Sequence, residues 1–101
     1  MSRLGSGVDN IDLQIAKKNN LSIYTTSNGP VNSVAELTLG MMIYLARNID
    51  QMKLDMEKGN WKRSFGNLLE DKNIVIIGFG KIGQRVCNLL EPFNCNIIVV
   101  D

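Results

Sequence analysis

Three observations in the last third of this 101-residue chain predict an α/β fold. Ile74, Val75, Ile76 and Ile77 form an uninterrupted, mostly β-branched run, the pattern of a parallel strand covered on both faces. Gly78-Phe79-Gly80-Lys81-Ile82-Gly83 follows at once and opens a helix, with Ile82, Val86, Leu89 and Leu90 at helical spacing and Pro92 at its end. A second apolar strand covers residues 96–100, and Asp101 stands at its carboxyl end. The order is strand, glycine turn, helix, strand, acid.

Each part of that unit has a physical reason to be there. Gly78 permits a tight turn out of the strand, Gly80 has no side chain to hold a pyrophosphate off the backbone, and Gly83 lets the helix pack close to the strand. The helix N-terminus then offers unpaired amides and the positive end of its dipole to phosphates. Asp101 is placed to accept hydrogen bonds from the hydroxyls of an adenosine ribose. A carboxylate there repels a 2′-phosphate, so NAD is favoured over NADP. A P-loop is excluded, because Gly80-Lys81 is followed by Ile82 rather than Ser or Thr.

Upstream, Gly5-Ser6-Gly7 is a tight turn by its two glycines. Asn10 or Asp12 caps a short helix over residues 13–19, with Leu13, Ile15 and Ala16 available to a core. Asn19-Asn20 ends it, residues 21–25 alternate as a half-buried strand, and Ser27-Asn28-Gly29-Pro30 is a loop by composition.

The middle of the chain reads as one long helix. Ser33 with Glu36 fits a capping box. Val34, Leu37, Met41, Leu45, Ile49, Met52 and Met56 recur on one helical face, Leu39, Ile43 and Ala46 add a second, and Gly59 stops the helix. From Ser33 to Lys58 it measures about 39 Å at the α-helical rise, longer than a domain of this size. A helix bridging domains or packing on another subunit is therefore expected, the competing reading being a break near Asn48 into two ordinary helices. Trp61 and Phe65 follow in a polar connector, either as anchors of a subunit contact or packed under a loop.

Composition narrows the function classes. Hydrophobic residues make up 45% and charged residues 21%, and 11 basic against 10 acidic side chains leave a net charge of +1. Near-neutrality removes the electrostatic case for a nucleic-acid partner or a membrane surface. The first residues carry no apolar core of a secretory signal, and no apolar run approaches the length that spans a bilayer. Cys87 and Cys95 form no CxxC pair and the chain has no His, so no metal site is expected. Two buried, reduced thiols in a cytoplasmic protein are expected, the competing reading being a disulfide between them.

Beyond these readings the chain resembles the D-isomer-specific 2-hydroxyacid dehydrogenases, most closely their D-3-phosphoglycerate dehydrogenase branch. The matching stretches are Ser2-Arg3-Leu4-Gly5-Ser6-Gly7-Val8-Asp9-Asn10-Ile11-Asp12, then Asn32-Ser33-Val34-Ala35-Glu36-Leu37-Thr38 with Leu45-Ala46-Arg47. Gly59-Asn60-Trp61 and the glycine turn ending at Asp101 complete the series. The resemblance implies a piece of a two-domain, Rossmann-like oxidoreductase acting with NAD on the CH–OH group of a D-2-hydroxy acid. Residues 1–30 would end the first segment of the substrate domain, 31–70 would form a crossover and dimerisation helix with its connector, and 71–101 would begin the NAD-binding domain. Ser6 would lie near the nicotinamide end of the cofactor, with Lys81 and Ile82 at the pyrophosphate. Arg3 would face the substrate's anionic groups, and Asn28 and Gly29 would line the cleft. Lys81 stands where the family commonly has Arg, keeping the charge but not the planar fork. For Glu36, helix capping is explanation enough.

Hydride transfer from a hydroxy acid also needs a base and a cation for the carboxylate. In the family these are a His paired with a Glu, and an Arg, all beyond the first βαβ unit. No catalytic residue is therefore expected in this chain, which reads as an internal fragment, marginally stable and inactive alone. The full-length protein is expected to be a homodimer taking a small 2-hydroxy or 2-keto acid. Two other readings are a non-catalytic dinucleotide-binding or corepressor-like module, and a small oligomerisation module built on the long helix.

Overall fold

The computed structural model describes residues 1–26 and 28–101. Ser27, in the loop expected over residues 27–30, lies outside the described residues. Two short parallel pairings organise the chain. In the first, β1 (Ser2–Arg3) runs beside β2 (Tyr24–Thr25), with α1 (Leu13–Lys18) between them in sequence. In the second, β3 (Asn73–Ile77) pairs in register with β4 (Asn96–Val100), connected through α4 (Lys81–Leu90) and a 3-10 turn (Glu91–Phe93). Between them run α2 (Val31–Ala46) and α3 (Ile49–Glu57).

Local chemistry accounts for most boundaries. Asp12 caps α1 as expected, its Oδ1 accepting from the amides of Gln14 at 2.9 Å and Ile15 at 3.0 Å. Asn20, with φ 52°, closes α1. There the amides of Asn20 and Leu21 return to the carbonyls of Lys17 and Ala16 at 3.1 and 2.9 Å. Gly59, at φ +72°, ends α3 in the same way, the Gly59 and Asn60 amides reaching Met56 and Asp55 at 2.9 and 2.8 Å.

The single long helix does not form. Asn48 takes φ 52°, ψ 39° and separates α2 from α3. Its side chain accounts for the break, because Nδ2 donates to the Phe65 carbonyl at 2.7 Å. The Asn67 amide takes the Ala46 carbonyl at 2.7 Å. The connector after α3 thus returns to satisfy the end of α2. Gly66 lies so close there that an added Cβ would sit 2.6 Å from Arg47 Cα, a contact no side chain tolerates. Across the break, the Tyr44 hydroxyl donates to Asp50 Oδ1 at 2.7 Å. That hydrogen bond raises the phenol's pKa above its ordinary value, since ionisation would remove the donor and set two negative charges side by side.

The capping box does not form either. Helix α2 begins at Val31 behind Pro30, with no side-chain cap, and the Ser33 hydroxyl donates instead to the Pro30 carbonyl at 3.1 Å. Starting the helix earlier puts Ser33 inside its first turn, where its own chain offers a nearer acceptor. Glu36 is exposed and caps nothing.

Packing chooses between the two apolar faces of α2. Ala35 is fully buried against Ile76, Val86 and Leu90, with Leu39 and Met42 packed beside it. Val34, Leu37, Met41 and Leu45, on the first face, stay exposed, from 38% at Val34 to 71% at Leu45. A small residue at the crossing lets α2 approach α4 closely, and that decides which stripe turns inward. In α1, Ala16 is buried but Leu13 and Ile15 are exposed, against expectation.

The β3–β4 pair is covered on one face only. The core meets the sheet at Ile74, Ile76 and Ile97, alternate residues of one side. Val75, Ile77, Ile98 and Val100, on the other, are exposed, Ile77 at 86%. Covering on both faces, as read from the apolar runs, is absent among the described residues. Cys87 and Cys95 are free thiols, half-buried rather than buried. Trp61 and Phe65 are 88% and 89% exposed, so they are not packed under a loop. The radius of gyration, 19.8 Å, exceeds the roughly 13 Å of a compact domain this long.

Leu90 is the one large side chain buried completely among the described residues, and it joins α4, α2 and the sheet. Leu90→Ala is therefore expected to cost about 2–5 kcal/mol of stability. Thermal unfolding followed by circular dichroism checks this.

Candidate functional site

The strand–turn–helix junction forms around one close approach. Gly78 leaves β3 at φ +92°, and its amide donates to the Val100 carbonyl at 2.7 Å. Gly80 precedes α4 in extended conformation, and the Gln84 amide closes the first helical bond onto its carbonyl at 3.0 Å. Gly83 packs directly on the turn. A Cβ there would collide with the Gly78 carbonyl oxygen and lie 3.5 Å from Ile76 Cγ2. At Gly80 an added Cβ would meet nothing within 4 Å, so backbone and open space adjoin there. No side chain caps α4, which leaves the amides of its first turn facing outward with the positive end of the helix dipole.

Asp101 reaches back to this junction. Its Oδ1 accepts from the Phe79 amide at 2.9 Å, fixing the carboxylate at the carboxyl end of β4 against the turn. Gln84 Nε2 donates to the Phe79 carbonyl at 2.9 Å and braces the same peptide from the helix side. Phe79 is a backbone participant that sequence reasoning overlooked, because its role rests on its amide and not its side chain.

The first region of the chain supplies the facing wall. The Gly5 amide donates to Thr26 Oγ1 at 2.8 Å, and the Thr26 amide to the Gly5 carbonyl at 3.1 Å. These bonds hold the Gly5-Ser6-Gly7 turn against the end of β2. An open cleft of about 710 Å³ lies between the two regions. Ser6 lines it opposite Gly78, Gly80, Lys81, Ile82 and Gly83, so six of the expected site residues share one cavity. Pro30, Val31, Thr38 and Met42 also line it. None of these four was expected in the site, since nothing local says that the start of α2 faces the glycine turn.

The other expected residues lie elsewhere. Asn28 borders a separate, polar depression, where its Oδ1 accepts from Lys81 Nζ at 2.7 Å. Gly29 borders a third hollow with Leu4, Gly5, Thr26 and Pro30, and Arg3 is half-buried on β1. Asp101 adjoins the turn without lining the cleft. Among the described residues no cluster of metal-ligating side chains occurs, and no helix is long and apolar enough to cross a membrane.

Replacing Gly83 tests the junction directly. The obstructing atom is a backbone carbonyl oxygen, which cannot rotate away. Gly83→Ala should cost about 1–3 kcal/mol and displace the first turn of α4. Amide chemical shifts of Gly78 through Gln84 read that displacement, while those of α1 should stay in place.

Comparisons with known proteins agree on one family. Residues 39–101 match the model of the D-isomer specific 2-hydroxyacid dehydrogenase, NAD binding domain. D-3-phosphoglycerate dehydrogenase of Homo sapiens is 39% identical over the whole chain, which covers 19% of that protein. The enzyme of the same name from Methanocaldococcus jannaschii is 40% identical over the whole chain, which covers 20% of it. Hydroxypyruvate reductase of Thermotoga maritima is 37% identical, again over the whole chain and 34% of the relative. Among solved structures, D-lactate dehydrogenase from Aquifex aeolicus, complexed with NAD and lactic acid, superposes with a TM-score of 0.85 at 25% identity. The match takes in 98% of this chain and 32% of that one. NAD-dependent formate dehydrogenase from Staphylococcus aureus, in complex with NAD, gives 0.80 at 31% identity over 99% of this chain and 32% of its own. The chain thus spans about a fifth of the phosphoglycerate dehydrogenases it matches.

Proposed function

Because this chain belongs to the D-isomer-specific 2-hydroxyacid dehydrogenase family, within the NAD-binding domain from residue 39 onward, we propose that it is the cofactor-gripping part of an enzyme oxidising a D-2-hydroxy acid, 3-phosphoglycerate foremost. The observation that carries this reading is the glycine turn itself. Free amides at the start of α4, open space at Gly80 and a carboxylate anchored to the Phe79 amide adjoin one another. A pyrophosphate needs the first two, and a ribose needs the third.

In this reading the amides of Lys81, Ile82 and Gly83 take the pyrophosphate, and Gly78 and Gly80 keep side chains out of its way. Asp101 holds the adenosine ribose with the oxygen that Phe79 leaves free. Ser6, across the cleft, faces the nicotinamide end, and Arg3 with Asn28 and Gly29 serves the substrate side. NAD, when bound, supplies the two-electron acceptor for the hydroxy acid. The chain contains no His, so a histidine base would come from outside this segment. The relatives named phosphoglycerate dehydrogenase, at 39% and 40% identity, support that substrate.

The same reading divides the chain at residues 30 and 70: the end of a substrate-domain segment, a crossover and dimerisation region, and the start of the NAD domain. The exposed apolar stripe of α2 (Val34, Leu37, Met41 and Leu45) and the exposed Trp61 and Phe65 support a homodimer through this middle region. A cytoplasmic location fits a small-molecule dehydrogenase with free thiols.

Two measurements test the proposal. In the full-length protein, Asp101→Ala should weaken NAD about tenfold and narrow the preference for NAD over NADP, read by titration with both cofactors. Unchanged affinity for both would reject the ribose assignment. The purified 101-residue chain, given NAD and 3-phosphoglycerate, should produce no NADH. Clear turnover would place a catalytic set within it.

A further inference from the structure

Two hydrogen bonds tie α4 to the loop before α2 and to its first turn, and both have the same chemistry. Lys81 Nζ donates to Asn28 Oδ1 at 2.7 Å, and Arg85 Nε donates to Asn32 Oδ1 at 3.0 Å. The donors stand one helical turn apart on α4, and the acceptors are separated by the same four positions around Pro30 and Val31. They form two parallel rungs between the two regions of the chain. In each rung a basic side chain meets a neutral carboxamide. Asn28, Asn32, Lys81, Gln84, Arg85 and Asn88 border the polar depression of about 350 Å³ around these rungs, and no acidic residue does. The ion pair found among the described residues is Lys53 with Glu57, far along the chain.

The choice of acceptor matters because of what Lys81 adjoins. Its own backbone amide belongs to the first turn of α4, beside the open space at Gly80. A carboxylate at residue 28 would orient the amine equally well but cancel its charge at that spot. A carboxamide orients it through a dipole and leaves the positive field intact. A free lysine would keep the charge but lose order, and any ligand would then bear the entropy of fixing it.

We propose that Asn28 is a positioning residue, which holds Lys81 through a neutral acceptor and so keeps an uncancelled positive charge fixed beside the glycine turn for the cofactor's pyrophosphate, while Asn32 steadies Arg85 in the same way one turn further along α4. The inference rests on the NAD reading above and deepens it. The signal was present in the sequence as matching spacings of four, but nothing local says that residues 53 positions apart meet.

The test compares Asn28→Asp with Asn28→Ala in the full-length protein, by NAD titration at low and high salt beside thermal unfolding. Asn28→Asp keeps the rung but cancels the charge. It should leave the melting temperature unchanged while weakening NAD several-fold at low salt, and flatten the salt dependence of binding. Asn28→Ala should weaken NAD less, about twofold, because the charge survives. In a Lys81→Ala background, Asn28→Asp should add no further loss. Should the aspartate variant not fold, Asn28→Glu makes the same comparison at the same rung. Equal losses in affinity from both Asn28 variants, each tracking a loss of thermal stability, would mark a plain structural strap and overturn the proposal. So would an aspartate variant that binds NAD as the parent does. A parent protein with no affinity for NAD would instead reject the cofactor reading itself, an outcome separate from any difference between variants.

Discussion

The contact between Gly83 and the Gly78 carbonyl governs the rest of the arrangement. Because no Cβ intervenes, the first turn of α4 settles onto the end of β3 with a separation that only glycine allows. That separation sets where the free amides of α4 point. It also brings the Phe79 peptide within reach of both Asp101 and Gln84. Asp101 closes β4, which pairs with β3 over five residues in register, so the acid and the turn belong to one rigid unit. A displacement of the helix would disturb amides, carboxylate and Lys81 together.

Around this junction the chain buries little. Ala16, Ala35, Ile76, Val86 and Leu90 make up the buried apolar residues among those described, while one face of the β3–β4 pair and one stripe of α2 stay uncovered. A parallel pair with a bare apolar face is an unusual arrangement, since such sheets are normally enclosed on both sides. Those surfaces, and a chain covering about a fifth of its phosphoglycerate dehydrogenase relatives, are consistent with a segment whose packing partners lie in a larger assembly. The site nevertheless takes shape locally, because its parts are joined by backbone hydrogen bonds rather than by a deep core.

Polar side chains do much of the work that apolar packing does elsewhere. Asn48 ends α2 by turning left-handed and bonding the connector, and Asn20 ends α1 with the same backbone geometry. Asn28 and Asn32 hold the two cations of α4. Asparagine suits these places because it tolerates positive φ and offers both a donor and an acceptor without charge. In a chain of net charge +1, neutral connectors of this kind bridge distant segments without adding to the local field.

Local rules made the βαβ unit legible from the residues alone. The apolar runs at 74–77 and 97–100, the three glycines and the closing Asp101 act through nearest neighbours, whose sterics and periodicity do not depend on the remainder of the fold. Asp12 and Gly59 were readable for the same reason, as each ends a helix through bonds to its own turn. What the tertiary structure alone decided involves segments far apart in the chain. The break at Asn48 requires the Phe65 carbonyl, the inward stripe of α2 requires the groove on α4, and the placing of Asn28 requires Lys81. A periodic pattern says that a face is apolar but not which neighbour will take it. That choice falls to close packing, which seats Ala35 at the helix crossing and leaves the stripe of Val34, Leu37, Met41 and Leu45 exposed.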